Sequence, residues 1–193
     1  MQQMPEVIFD CCVLSNFALS SSLPLLKSLY TSTPYITDFV SAEILRGIQK
    51  GHVKLMGIRE AVSEGWLKET VLRTKEEKAI FESLSVSLGF GEASSIAVAK
   101  SRGFIFACDD KVARREANIL GVRLTGTLGI LKKAVTKKVI KLNDADQILK
   151  SMIIHGFYSP VRSVREIIYK TSAECGVMSA ELKTKIRMES RER

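Results

Sequence analysis

The chain has 193 residues, 46% of them hydrophobic and 26% charged, enough to bury a core as one domain without disulfides or a structural metal. Its longest apolar runs, such as Gly103–Cys108, are far too short to span a bilayer, and Met1–Glu6 lacks the basic and apolar stretches of an export signal. A cytoplasmic protein with no membrane partner is therefore expected. The net charge is +8, and between Arg114 and Lys141 eight Lys or Arg residues face one acid, Glu116. That bias attracts polyanions, although a solvated helix face would account for it as well.

Val7-Ile8-Phe9 reads as a short buried strand that ends on Asp10. A helix follows over Val13–Leu19, then a serine-rich break at Ser20–Ser22 and a second helix from Pro24 to Tyr30. Pro34–Thr37 predicts another strand, and Asp38 or Ser41 is placed to cap a helix that Gly51 closes. Arg59–Gly65 is expected to be helical, Trp66–Leu72 a strand or extended link, and Lys75–Leu88 an amphipathic helix. Gly89-Phe90-Gly91 breaks it, Glu92–Arg102 forms an alanine-rich helix, and Phe104–Cys108 is a buried strand ending on Asp109-Asp110. A helix over Lys111–Leu120, a strand at Val122–Leu124, and helices over Thr127–Ala134, Asn143–His155 and Ser163–Tyr169 complete the reading. Beyond Ser172 the chain is polar and is expected to be a mobile basic tail.

Short apolar strands alternating with helices imply an α/β fold, a three-layer α/β/α sandwich around a mainly parallel sheet. In such sheets chemistry sits beyond the carboxyl ends of the strands. Asp10 and Asp109-Asp110 end strands there, while Glu43 and Glu92 lie in the first turns of helices on the same rim. Each acid alone is equally consistent with a helix cap or a dipole partner. Together they would repel one another unless a hard divalent cation joined them. The cysteines, Cys11, Cys12, Cys108 and Cys175, have no zinc-site spacing, and neither His52 nor His155 carries a motif tying it to a thiol. They read as small buried hydrophobes of a reducing compartment.

Val7–Leu14, Val40–Ile44, Gly91–Ala99 and Phe104–Ala113, followed by Gly126-Thr127-Leu128-Gly129, resemble in order the four motifs of the PIN-domain nuclease family. The Gly-Glu-Ala third motif and the Asp-Asp fourth motif resemble its VapC-like toxin branch. The resemblance implies a PIN-like nuclease domain over 1–157, with a helical extension and tail over 158–193. It also implies a metal-dependent endoribonuclease using Mg²⁺ or Mn²⁺, with Asp10, Glu43, Glu92 and Asp110 as catalytic and metal residues and Asp109 assisting at the metal. Lys111, Arg114, Arg115, Lys132 and Lys133 are candidates for RNA-backbone contacts. A small antitoxin and a homodimer are the expected protein partners. The apolar pairs Ile153-Ile154 and Phe157-Tyr158 are read as core in preference to a dimer contact. Cys11-Cys12 departs from the family's usual small polar pair, which keeps open a catalytically weak binding or scaffold protein. Few aromatics fall near the motifs, so no base-stacking surface is evident.

Overall fold

A computed structural model describes residues 6–30 and 34–174; the expected tail beyond Glu174, with Cys175, lies outside the described residues. Five strands, β1 (Val7–Phe9), β2 (Tyr35–Thr37), β3 (Lys68–Thr70), β4 (Ile105–Ala107) and β5 (Leu124–Thr125), form one sheet in the order β3-β2-β1-β4-β5. Every pairing is parallel. Val7 pairs with Ile105 and Phe9 with Ala107, so alternate residues of the two central strands share a face.

The helices are α1 (Cys11–Leu19), α2 (Leu23–Leu29), α3 (Asp38–Gln49), α4 (Met56–Ser63), α5 (Lys75–Leu84), α6 (Phe90–Arg102), α7 (Lys111–Ile119), α8 (Thr127–Thr136), α9 (Leu142–Ile154) and α10 (Val164–Glu174). Val7, Phe9, Ile36 and Ala107 pack with α1, α2, α4, α8 and α9 on one face of the sheet. Ile8 and Phe106 pack with α5, α6 and α7 on the other. The fold is therefore the three-layer α/β sandwich that strand and helix alternation implied. Parallel strands must be crossed over by helices, and both faces of the sheet end up dry.

Several boundaries differ from the sequence reading, each for a local reason. The third helix is capped by Thr37, whose hydroxyl accepts from Val40 N at 3.2 Å, and not by Asp38 or Ser41. Helix α5 stops at Leu84, because the hydroxyls of Ser85 and Ser87 turn back onto the carbonyls of Glu82 and Leu84. Leu88 stays buried all the same. A 3-10 turn at Val53–Leu55 starts α4 three residues early. Of Gly89-Phe90-Gly91 only Gly89 lies outside a helix, so Gly91 sits inside the first turn of α6. Ile154 and Tyr158 are 74% and 87% exposed, which corrects their reading as core; Phe157 does pack against the first cluster.

Strand order reverses between β1 and β4, and the carboxyl ends of strands flanking such a switch point open into a crevice. Asp10 follows β1, and Cys108-Asp109-Asp110 follow β4. The topology thus brings the two strongest sequence signals to adjacent strand ends.

Candidate metal and nucleic-acid site

Asp10 is 4% exposed and caps α1, its Oδ2 accepting from Cys12 N at 3.3 Å. The same oxygen accepts from the Cys12 thiol at 2.7 Å and from the Cys108 thiol at 3.8 Å. Burial pushes its carboxyl above the usual range, and the charge of Asp109 adds to that push.

Glu43, one turn into α3, reaches across to α6, where its Oε1 accepts from Gly91 N at 3.2 Å. The two helices are fastened nearby by the Thr37 and Ser94 hydroxyls, 2.8 Å apart and buried. Burial and then the Asp10 charge raise the Glu43 carboxyl. Glu92 sits two residues after Phe90, the first residue of α6, with its side chain folded back onto Gly89 N at 3.2 Å. Burial, followed by Asp10 and Asp110, pushes it up to about 7. The Asp10 charge therefore reaches both Glu43 and Glu92 along one rim.

The Asp109-Asp110 pair divides its work. Asp110 is exposed and caps α7, its Oδ1 accepting from Val112 N at 2.8 Å and Ala113 N at 2.9 Å. Asp109 is held by Asn16 Nδ2 at 3.1 Å, Thr127 N at 2.9 Å and Thr127 Oγ1 at 2.5 Å. Asn16 also donates to Thr127 Oγ1, at 3.1 Å. Neither Asn16 nor Thr127 was drawn into the site by sequence. Asn16 lies one turn after Cys12 on the cleft side of α1, and buried Thr127 opens α8 directly after Gly126; a polar side chain at each of those positions was the available signal.

A cleft of about 910 Å³ adjoins these residues, lined by Cys12, Asn16, Asp109, Lys111, Arg114 and Tyr158 among others. Arg114 spans the ends of β4 and β5, its Nη1 donating to the Cys108 and Thr125 carbonyls at 2.7 Å each. Arg115, Lys132 and Lys133 are not among the lining residues. Arg115 is 76% exposed and pairs with Glu116 at 3.3 Å. Lys133 lies over the Tyr30 ring, 4.2 Å from its centroid.

Aromatic side chains do gather at the rim, contrary to the sequence reading. Phe39, Phe81 and Phe90 form a cluster with ring centroids 4.9–5.8 Å apart, and Phe90 is 55% exposed beside the Gly91-Glu92 turn. They are 42 and 9 residues apart in sequence (39 to 81, 81 to 90), so no local pattern reveals them.

No three carboxylates among the described residues bring ligand oxygens within 4.8 Å of one another; the group that does is Asp10, Cys12 and Cys108. The donors around the wider rim are nevertheless hard oxygens, with Arg46 offsetting only part of the charge at Glu43, and that donor set suits a divalent ion that keeps part of its water shell.

A Cβ added at Gly91 would lie 2.6 and 2.8 Å from the two Glu43 carboxylate oxygens. Gly91→Ala should therefore displace the Glu43 side chain while costing the helix little, since the obstructing atoms end a flexible chain. We expect the Glu43 carboxylate to leave Gly91 N while the melting temperature stays within a few degrees of wild type. A crystal structure of the variant with Glu43 unmoved would refute this account of the contact.

A family model described as PIN domain matches residues 6–173. The chain belongs to the PIN-domain family, and its fold is nuclease-type. No curated protein matches it. No helix among the described residues is long and apolar enough to cross a membrane.

Proposed function

We propose that this chain is a divalent-cation-dependent endoribonuclease, with Mg²⁺ or Mn²⁺ held by Asp10, Glu43 and Glu92 from one side and by Asp110, with Asp109, from the other. The observation that carries this reading is electrostatic. Asp10, Glu43 and Glu92 come from three separate elements and are part-buried or buried; burial raises each, Asp109 adds to the rise at Asp10, Asp10 to that at Glu43, and Asp10, Asp110 and Glu43 to that at Glu92. Such an arrangement costs stability and persists only where something else is gained from it. No cationic side chain is among the groups that shift Asp10 or Glu92.

When bound, a divalent cation supplies an activated water and neutralises charge on a phosphodiester. The chain's own residues do the positioning. The Gly91 N–H and the Asp10 cap fix two carboxylates on rigid elements, Arg114 pins the ends of β4 and β5, and Asn16 with Thr127 orients Asp109. Exposed Lys111 beside the cleft suits backbone phosphate contacts, which position a strand without reading it. Exposed Phe90 on one side and Tyr158 on the other suit stacking by unpaired bases, which favours a single strand over a duplex.

An RNA-cutting enzyme of this kind needs restraint inside a cell, which supports the toxin of a toxin–antitoxin pair with a small protein inhibitor. Exposed Ile154 and Tyr158 at the end of α9 support a protein contact such as a homodimer. The test is a cleavage assay with purified protein on end-labelled single-stranded RNA, duplex RNA and single-stranded DNA, with Mn²⁺, Mg²⁺ or chelator. We expect cation-dependent cuts within single-stranded RNA, activity that co-elutes with the protein, and none in chelator. Persistent cleavage in chelator, or strong binding without cleavage under every cation, would favour the scaffold reading instead.

A further inference from the structure

Two thiols stand where the candidate nuclease site has its most buried carboxylate, and nothing in the proposed activity uses them. Cys12 is the second residue of α1 and partly faces the cleft, whereas Cys108 follows β4 and is wholly buried. Both thiols point at Asp10 Oδ2, and the three ligand atoms lie within 4.8 Å of one another. We propose that Asp10, Cys12 and Cys108 form a site for a thiophilic divalent cation of the Zn²⁺ class, one that shares its carboxylate with the hard-cation site.

The geometry admits this chemistry, with the three ligand atoms within 4.8 Å of one another. Tetrahedral zinc with Zn–S near ~2.3 Å and Zn–O near ~2.1 Å requires S···S of about 3.8 Å and S···O of about 3.6 Å. The Cys108 sulfur already stands 3.8 Å from the carboxylate oxygen, and the Cys12 sulfur, at 2.7 Å, must draw back by less than about 1 Å. Of the three ligands Cys12 is partly exposed and lines the cleft, so a fourth ligand would reach the ion past it. Three protein ligands plus one open position is an arrangement zinc adopts readily.

The donor set also discriminates. Thiolates prefer zinc, cobalt or cadmium, and carboxylate oxygens alone prefer magnesium or manganese. In the metal-free protein both thiols donate to Asp10. Binding releases one proton from each to solvent, so that M²⁺, two thiolates and one carboxylate leave a net charge of −1 at the centre. A hard ion cannot use Asp10 Oδ2 while a soft one holds it. Zinc should therefore arrest cleavage competitively with manganese, a consequence that rests on the nuclease reading, whereas the binding site itself does not.

The test uses Co²⁺ as a spectroscopic probe, titrated into the full-length reduced protein. We expect one equivalent to bind with an intense thiolate-to-cobalt charge-transfer band that Zn²⁺ bleaches. The band should survive in a Cys11→Ser/Cys175→Ser double variant and disappear in Cys12→Ser and in Cys108→Ser. Because Cys108 is buried, Cys108→Ala provides a second version, and thermal melts confirm that each variant is folded. Absence of the band in wild type, or its survival without Cys12 or Cys108, overturns the site.

Cleavage with Mn²⁺ is then measured across added Zn²⁺, each variant against its own uninhibited rate. The zinc needed for half-inhibition should rise at least about tenfold in Cys12→Ser, no less than the loss caused by removing an outer-shell partner. A cobalt band without zinc inhibition retains the site and overturns the competition. If no cleavage occurs under any condition, the nuclease reading fails while the cobalt result still decides the site.

Discussion

Replacing Glu92 with Gln is expected to raise the melting temperature of the metal-free protein at pH 8 while removing cleavage by at least about a hundredfold. The stability gain follows from the sign of the shift. Glu92 is raised from an ordinary 4.5 to about 7, so the folded state holds its proton more tightly than the unfolded chain does. The stability this lends is fully present below pH 4.5 and is lost as pH rises to about 7. Above that pH the wild type carries the whole penalty of a carboxylate that is first partly buried and then repelled by Asp10 and Asp110, and Gln carries none. With Glu92 half-exposed and screened by solvent, the difference should be about 1–2 kcal/mol, or a few degrees. Gln can still fold back onto Gly89 N, so the helix start keeps its cap. Melts at pH 5 and pH 8 should thus show variant and wild type close together at pH 5 and separated at pH 8. Saturating Mn²⁺ should close that gap, because a cation relieves the same repulsion. If Glu92→Gln melted below wild type at pH 8, the rim would not be a site of mutual repulsion, and the case for a cation there would lose its support.

What the sequence reveals about this site depends on how local each signal is. β1 and β4 are legible because a strand buried on both faces is apolar at consecutive positions, and Asp10 and Asp109 stand out against Val7–Phe9 and Phe104–Cys108. Their place on one rim follows from the parallel α/β pattern, while the pairing of β1 with β4 is seen only in the folded sheet. Glu43 and Glu92 are legible only as helix-start acids, a type of position that serves equally well for dipole partners. Nothing local indicates that the Glu43 carboxylate reaches Gly91 N, 48 residues away. The same holds for Asn16 meeting Asp109 across 93 residues, and for the two thiols meeting one carboxylate. Cysteines sorted by spacing look inert here, because Cys12 and Cys108 are joined by the β1–β4 pairing and by no sequence motif. Phe39, Phe81 and Phe90 likewise become neighbours only when α3, α5 and α6 pack.

A second substitution should have the opposite profile, a large loss of stability with little direct effect on the rim. Lys75–Leu88 reads as an amphipathic helix with Lys and Glu between its apolar positions, yet Glu77 is wholly buried and forms the reciprocal cap with Thr74. The Thr-x-x-Glu spacing of Thr74 and Glu77 is a capping-box signature and was the legible clue. The Glu77 carboxylate also accepts from Arg73 N at 2.5 Å and from Arg102 Nε at 2.7 Å, and Arg102 extends to Thr70 Oγ1 and the Val71 carbonyl, both at 2.8 Å. One carboxylate therefore ties the start of α5, the end of α6 and the edge strand β3 together. Burial alone would push Glu77 up, but the Arg102 hydrogen bond and the backbone donors hold it below its ordinary 4.5. Its contribution is present above pH 4.5 and is lost as pH falls through the lowered value. Glu77→Ala removes the cap and leaves a largely buried guanidinium unpaired, at a cost of about 2–4 kcal/mol, or roughly 10 °C. Arg102→Met added to Glu77→Ala should recover part of that loss, because no charge is then left stranded, giving a coupling of about 1–3 kcal/mol. The wild type should lose stability below pH 4.5 more steeply than Glu77→Ala, which lacks the titrating group. Urea unfolding of the four proteins in this cycle at pH 7 and pH 3.5 measures all of these quantities. Additive losses with no pH difference would mean that Glu77 acts only as a cap, and that the ion pair adds nothing to holding α6, and with it Glu92, in place.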